Sequence, residues 1–198
     1  MITAEETRLL EQASNAPMLA QLLDWAAINS GTGNLAGLAT MATQLADAFS
    51  ALGGALHLVD PDAVEQVTSS GQITTLYRGQ HLHLKVRPEA PVQLLFTGHM
   101  DTVFPADHPF QTVRWLDDHT INGPGTADMK GGLAVMLAAL SAMEESPWAA
   151  RFGYEVVINS DEETGSHASA RLLHAAAQGK LAALTYEPET SGALGFGF

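Results

Sequence analysis

Four short stretches gather ionisable side chains where chemistry could occur. They are Gly98-His99-Met100-Asp101, Asp128 after the glycine-rich loop 122–127, Asp161-Glu162-Glu163, and Glu187 after Tyr186. Three of them follow runs that read as β-strands, and the loop leads into a helix. In open α/β sheets, sites form beyond the carboxyl ends of strands. All four stretches can therefore converge on one rim. Asp101, Asp128, Glu162, Glu163 and Glu187 would repel one another if all were ionised, so either some pKa values rise or cations sit among them. With the His99 imidazole present, a divalent transition metal is the economical answer: zinc, with cobalt or manganese as substitutes. A bridging carboxylate can hold two such ions roughly 3.5–4 Å apart.

Each residue also has a plainer reading. A lone histidine at a strand end is usually structural. Asp128 could be a helix N-cap, Asp161 reads as a turn residue, and Glu162-Glu163 could be a solvated acidic pair. Glu187 and Glu189 could simply be exposed beside Pro188. His81 and His83 alternate along a strand, a spacing that can bind metal but more commonly marks a polar strand face. His57, His108, His119, His167 and His174 read as surface or locally bonded. Lys130 reads as a salt-bridge partner near the site, and Met129, Met136 and Met143 as helix packing.

The elements that must position these groups follow from apolar spacing. A helix is predicted over 17–28, broken by Ser30-Gly31-Thr32-Gly33-Asn34. A second over 35–52 stops at Gly53-Gly54. The pattern then shifts to short β-branched and apolar runs at 55–59, 73–77, 81–86 and 92–97. Short strands at 114–116 and 120–121 flank an Asp117-Asp118 turn. A helix over 129–143, a strand over 154–159, a helix over 167–178 and a strand over 181–186 complete the series. Strands alternating with helices predict an α/β fold, with helices packed on a mixed, largely parallel sheet.

Composition narrows the function classes. Lys and Arg total 9 against 22 Asp and Glu, a net charge of −13. That excess argues against nucleic-acid binding, which needs a basic surface to track phosphates. The absence of cysteine excludes disulfide scaffolds, thiolate metal sites and cysteine nucleophiles, so a metal site must use His, Asp and Glu. The first eleven residues lack a basic segment followed by an apolar one, and the longest apolar stretch, 133–140, is far short of a membrane span. The expectation is a cytoplasmic protein with no membrane partner.

Together, Gly-His-Met-Asp-Thr-Val at 98–103, Gly-Pro-Gly-Thr-Ala-Asp-Met-Lys-Gly-Gly at 123–132, Asp-Glu-Glu-Thr-Gly-Ser at 161–166 and Tyr-Glu-Pro at 186–188 resemble the co-catalytic zinc amidohydrolases. That family includes glutamate carboxypeptidase, aminoacylase, acetylornithine deacetylase and succinyl-diaminopimelate desuccinylase. The order and spacing of all four motifs match over about 28–189. The 28–34 segment and Gly-Pro-Gly look most like the glutamate carboxypeptidase branch. The resemblance implies that His99 binds one zinc and that Asp101 orients its imidazole. It implies that Asp128 bridges both ions, Glu163 binds the second and Glu187 completes the first. Glu162 is then the general base. The implied substrate is a small peptide or N-acyl amino acid with a free carboxylate.

The resemblance also implies a further His ligand and a smaller lid and dimerisation domain, and residues 191–198 hold neither. The expectation is therefore the N-terminal part of the catalytic domain of a homodimeric enzyme. Its second metal position would be weakened by the missing His, and turnover by this chain alone would be impaired. A non-catalytic metal-binding or interaction fragment is the competing reading. A phosphate-binding domain built on the 123–132 glycines is weaker, because no Gly-Lys-Ser/Thr signature is present. An apolar edge is expected where further chain would pack, with self-association as its consequence.

Overall fold

The computed structural model describes residues 2–188. Glu189 and the segment 191–198 lie outside the described residues.

The chain opens with α1 (Ala4–Ser14), started by a capping box in which the Thr3 and Glu6 side chains each accept the other residue's backbone N–H. α2 (Met18–Ala26) follows, with Pro17 at its N-cap position, where a missing N–H costs nothing. α3 (Leu35–Ser50) starts at Asn34, whose side chain accepts the Gly37 N–H, and Gly53 turns the chain away at φ +67°. Then come β1 (Ala55–Val59), β2 (Val64–Val67), β3 (Ile73–Leu76), β4 (His81–Val86), β5 (Gln93–His99), β6 (Arg114–Asp117) and β7 (Thr120–Asn122). α4 (Lys130–Glu144), β8 (Gly153–Asn159), α5 (Ala170–Ala177) and β9 (Ala182–Thr185) complete the described chain.

Five strands form one sheet in the order β1-β4-β8-β5-β9. β5 pairs parallel with both β8 and β9, while β4 pairs antiparallel with both β8 and β1. Four strands thus run one way and only β4 opposes them, which is the mixed, largely parallel sheet expected. β2–β3 and β6–β7 are separate hairpins.

The core lies between the sheet and the α3/α4 layer. Leu38, Met41, Leu45 and Phe49 of α3, with Leu133, Met136 and Leu140 of α4, meet Leu82, Leu84, Phe96, Tyr154, Val156 and Ile158 of the strands. Val157 points to the other face and packs with Leu95 and Ala176 of α5. β8 is therefore covered on both sides, which accounts for its unbroken apolar run. Truncating Ile158 to Ala in such a setting costs about 2–5 kcal/mol.

Parallel pairing puts the carboxyl ends of β5, β8 and β9 on one rim. The register aligns His99 with Asn159, and Thr97 with Thr185. Among the described residues no helix is long and apolar enough to cross a membrane.

Two elements differ in extent from expectation for chemical reasons. The helix expected from residue 167 starts at Ala170, because the Ala168 N–H and the Ser169 hydroxyl are bonded to Asp161. The strand expected to stop at Thr97 continues to His99, held by pairing with β8.

Candidate metal centre

His99 is the last residue of β5 and is 1% exposed. Its backbone N–H points at the Met129 sulfur, 3.1 Å away, so that methionine packs directly behind the site. Its Nδ1 lies 3.0 Å from the Asp101 carbonyl oxygen and 3.3 Å from Asp101 Oδ1. With Nδ1 so engaged, Nε2 faces the rim. It lies 3.0 Å from Asp128 Oδ1, 3.6 Å from Glu187 Oε1 and 4.0 Å from Glu162 Oε2.

The Asp101 carboxylate is fully buried and does more than orient the ring. It accepts the Thr32 hydroxyl at 2.7 Å and the backbone N–H groups of Glu162 and Glu163, each at 3.2 Å. One carboxylate thus ties together the loop after α2, the end of β5 and the turn after β8.

That turn is built by Asp161, a turn residue as expected but a buried one. Its Oδ2 accepts the Ala168 N–H at 2.6 Å, and its Oδ1 accepts the Ser169 hydroxyl at 2.7 Å. Asn159 Nδ2 donates to the Ser166 and Ser169 hydroxyls. Gly165, at φ +95°, lets the chain reverse after the single helical turn Glu162–Thr164. Asp161 therefore faces inward while Glu162 and Glu163 face the rim.

Asp128 ends a compact loop in which the Thr126 hydroxyl donates to the Gly123 carbonyl and the Lys130 N–H to the Gly125 carbonyl. It is not the helix cap: Met129 holds that position, with no side-chain cap bond. The Asp128–Met129 peptide is cis.

Among the described residues Lys130 does not form the salt bridge expected of it. Its buried ammonium donates to the Trp25 and Ile28 carbonyls at 3.1 and 2.7 Å, and burial brings its pKa down to about 8. It anchors the C-terminus of α2, where a cation suits the helix dipole.

His99, Asp128 and Glu163 each place a ligand atom within 4.8 Å of the others. Electrostatics at the rim favour a cation. Burial opposes a charge on His99, yet the carboxylates of Asp101 and Glu187 outweigh it and raise its pKa to about 11. Burial, then repulsion from Asp128, pushes the Glu163 carboxyl up to about 7. Glu162 is also raised, chiefly by burial; the His99 charge opposes this, while Glu187 and Asp101 reinforce it. One imidazole among carboxylates is a donor set that suits zinc, manganese or cobalt. The residues fit a divalent ion.

The structure thus brings His99, Asp101, Asp128, Glu162, Glu163 and Glu187 to one place. Among the described residues the tightest trio pairs His99 and Asp128 with Glu163, and Glu187 stands just outside it. Among the described residues His81 and His83 are not ligands of this cluster; they form a polar strand face, a buried one, in which His83 Nε2 lies 2.5 Å from Glu155 Oε2. His57, His119 and His167 are exposed, and His108 accepts the Phe110 N–H locally. Reading the residue types missed the roles of Thr32 and Asn159. Neither has a spacing signal, because each acts by reaching a residue far away in the chain or a neighbouring turn.

A mixed α/β sheet with an imidazole and carboxylates at the ends of its parallel strands defines the class, and comparison with known proteins defines the family. Residues 95–194 match the model of peptidase family M20/M25/M40, and the chain belongs to that family. It is 30% identical over 169 residues to carboxypeptidase G2 of Pseudomonas sp. (strain RS-16), covering 83% of this chain and 37% of that protein. It is 36% identical over 91 residues to succinyl-diaminopimelate desuccinylase 2 of Shewanella loihica, covering 43% of this chain and 24% of that one. The chain therefore spans little more than a third of these relatives at most. Solved structures that share the fold include two dipeptidases. The di-peptidase Dug1p from Saccharomyces cerevisiae has a TM-score of 0.67 at 16% identity, covering 87% of this chain and 38% of that one. Human carnosine dipeptidase 1 has 0.64 at 22% identity, covering 85% and 36%.

Proposed function

We propose that this chain supplies the metal centre and general base of a zinc-dependent hydrolase. Its reaction is cleavage of an amide bond in a small peptide or N-acyl amino acid with a free carboxylate. The observation that carries the reading is the convergence of His99, Asp128 and Glu163 within 4.8 Å, with the carboxyl of Glu162 beside them. The family match and the names of the two relatives, a carboxypeptidase and a desuccinylase, support the reaction class.

In this reading His99, Asp128 and Glu187 would hold one ion, and Asp128 together with Glu163 would hold a second. When bound, the ions supply Lewis acidity, drawing the pKa of water from about 16 toward about 7 and polarising the carbonyl. Asp101 keeps the His99 ring fixed through Nδ1, the kind of outer support that strengthens a ligand. Glu162 removes a proton from the attacking water and delivers it to the leaving amine nitrogen as the C–N bond breaks, leaving a carboxylic acid, which keeps the water's other proton until it ionises, and an amine.

We assign the chain to the N-terminal part of a catalytic domain in a longer, homodimeric, cytoplasmic enzyme. Among the described residues Asp128 and Glu163 are the carboxylates offered to the second ion, against His99, Asp128 and Glu187 for the first, so the second is expected to bind more weakly. Metal content after purification, paired with an N-acyl amino acid hydrolysis assay, tests the reading. Zinc bound with little turnover by this chain, and turnover by the longer protein, is the expected result. Asp128→Ala should lower the zinc stoichiometry measured by calorimetry. In the longer protein, Glu162→Gln should keep the metal and lose at least a hundredfold in kcat, the usual scale of a general base. Full activity in that variant removes Glu162 as the base. A chain that binds no divalent ion overturns the whole assignment.

A further inference from the structure

His81 belongs to β4, yet both nitrogens of its ring are spent on the segment that carries Glu162 and Glu163. Its Nδ1 accepts the backbone N–H of Ser160 at 3.3 Å, and its Nε2 lies 3.3 Å from the carbonyl oxygen of Ala168. A backbone amide can only donate and a carbonyl can only accept. The ring is therefore neutral, with its proton on Nε2. At 1% exposure, burial also pushes its pKa below the ordinary histidine value.

Other bonds converge on the same two positions. The Ser160 hydroxyl donates to the Gly79 carbonyl at 2.7 Å, just before β4. The Ala168 carbonyl also accepts the Asp62 N–H, and the Ala168 N–H closes the turn onto Asp161. The register between β4 and β8 ends at Leu82 and Ile158, short of the turn. The imidazole continues the connection where the strand ladder stops.

We propose that His81 is a positioning residue: its neutral ring clamps both ends of the 160–168 turn to β4 and so sets where Glu162 and Glu163 stand relative to His99 and Asp128. The consequence for metal binding rests on the proposed function; the clamp itself does not.

The test combines amide hydrogen exchange by NMR with zinc titration, on the wild-type chain, His81→Phe and His81→Asn. Phe fills the space without either bond. Asn keeps an acceptor in place of Nδ1 but cannot reach Ala168. In His81→Phe the Ser160, Glu162 and Glu163 amides should exchange at least tenfold faster, while amides of β5 and β8 are unchanged. Zinc should bind at least tenfold more weakly. In His81→Asn, Ser160 should regain protection, the Asp62 and Ala168 amides should exchange faster, and zinc affinity should fall between the other two. Unchanged exchange at Ser160 and Glu163 in a folded His81→Phe chain overturns the clamp. Should that variant not fold, His81→Asn decides alone: protection unchanged at both ends overturns the proposal, and loss confined to the Ala168 end supports it. A wild-type chain that binds no zinc defeats the proposed function, while the exchange data still decide the clamp.

Discussion

At the scale of single residues, the site is organised by a carboxylate that faces away from the rim. Asp101 has the hydroxyl of Thr32 and two backbone amides to balance its charge in a fully buried place. A buried acceptor that loses a partner retains its desolvation cost. Thr32→Val should therefore destabilise the chain by about 1–3 kcal/mol in urea denaturation. His99 makes a pH-dependent prediction. Its folded pKa, about 11, lies above its ordinary value of 6.5, so the folded state holds a proton that the unfolded state releases. The stability this adds is complete below 6.5 and is lost as pH rises toward 11. Glu163, raised to about 7, works in the same direction up to that pH, whereas Lys130 opposes only above about 8. With chelator present, the melting temperature should fall between pH 6.5 and 8, by no more than the equivalent of about 1.4 kcal/mol per pH unit from His99. His99→Gln should flatten that slope. That His99, Asp101, Asp128, Glu162, Glu163 and Glu187 converge was legible in the sequence, because each stands at or beyond a strand end or a glycine-rich loop whose pattern can be read. Thr32 and His81 were not, since a hydroxyl or a ring that bonds to backbone leaves no signature in spacing.

At the scale of elements, one tight joint lies between the first turn of α4 and the segment after β9. A Cβ added at Gly132 would sit 2.1 Å from the Tyr186 carbonyl oxygen, one residue before Glu187. Gly132→Ala should cost about 1–3 kcal/mol by overpacking, and should weaken zinc binding by displacing Glu187. Gly33→Ala, with nothing within 4 Å, is the control and should stay within about 0.5 kcal/mol of wild type in the same denaturation series. The core elements were readable from period and punctuation: 55–59 and 81–86 coincide with β1 and β4 because their apolar runs are bounded on both sides. β2 was not foreseen, since Val64-Glu65-Gln66-Val67 is largely exposed and owes its conformation to pairing with β3. α1 went unassigned because its composition is polar, although the Thr3–Glu6 capping box was there to be read.

At the scale of the whole molecule, the sheet ends on β9, whose residues are all exposed, Leu184 among them, with the exposed Leu181 just before it. Among the described residues this edge has no further strand partner. Such an edge invites pairing with another chain, while the net charge of −13 resists it. The balance should turn with salt, because screening shortens the repulsion to about 8 Å at physiological ionic strength and leaves apolar contact intact. Sedimentation velocity should show self-association increasing with salt, and Leu184→Lys should suppress it. A wild-type chain that stays monomeric at high salt and concentration would refute the edge as the cause. The strand order has another consequence, for biosynthesis. β5 sits between β8 and β9 in space, but the ribosome makes both of those neighbours later. While the nascent chain waits for residue 159, and then for residue 185, Leu95 and Phe96 have no permanent shelter. The last carboxylate of the rim emerges only after the final strand. The described rim is therefore incomplete until Glu187 has emerged, and the pace of translation through the last thirty or so codons of the described chain sets how long Leu95 and Phe96 stay uncovered.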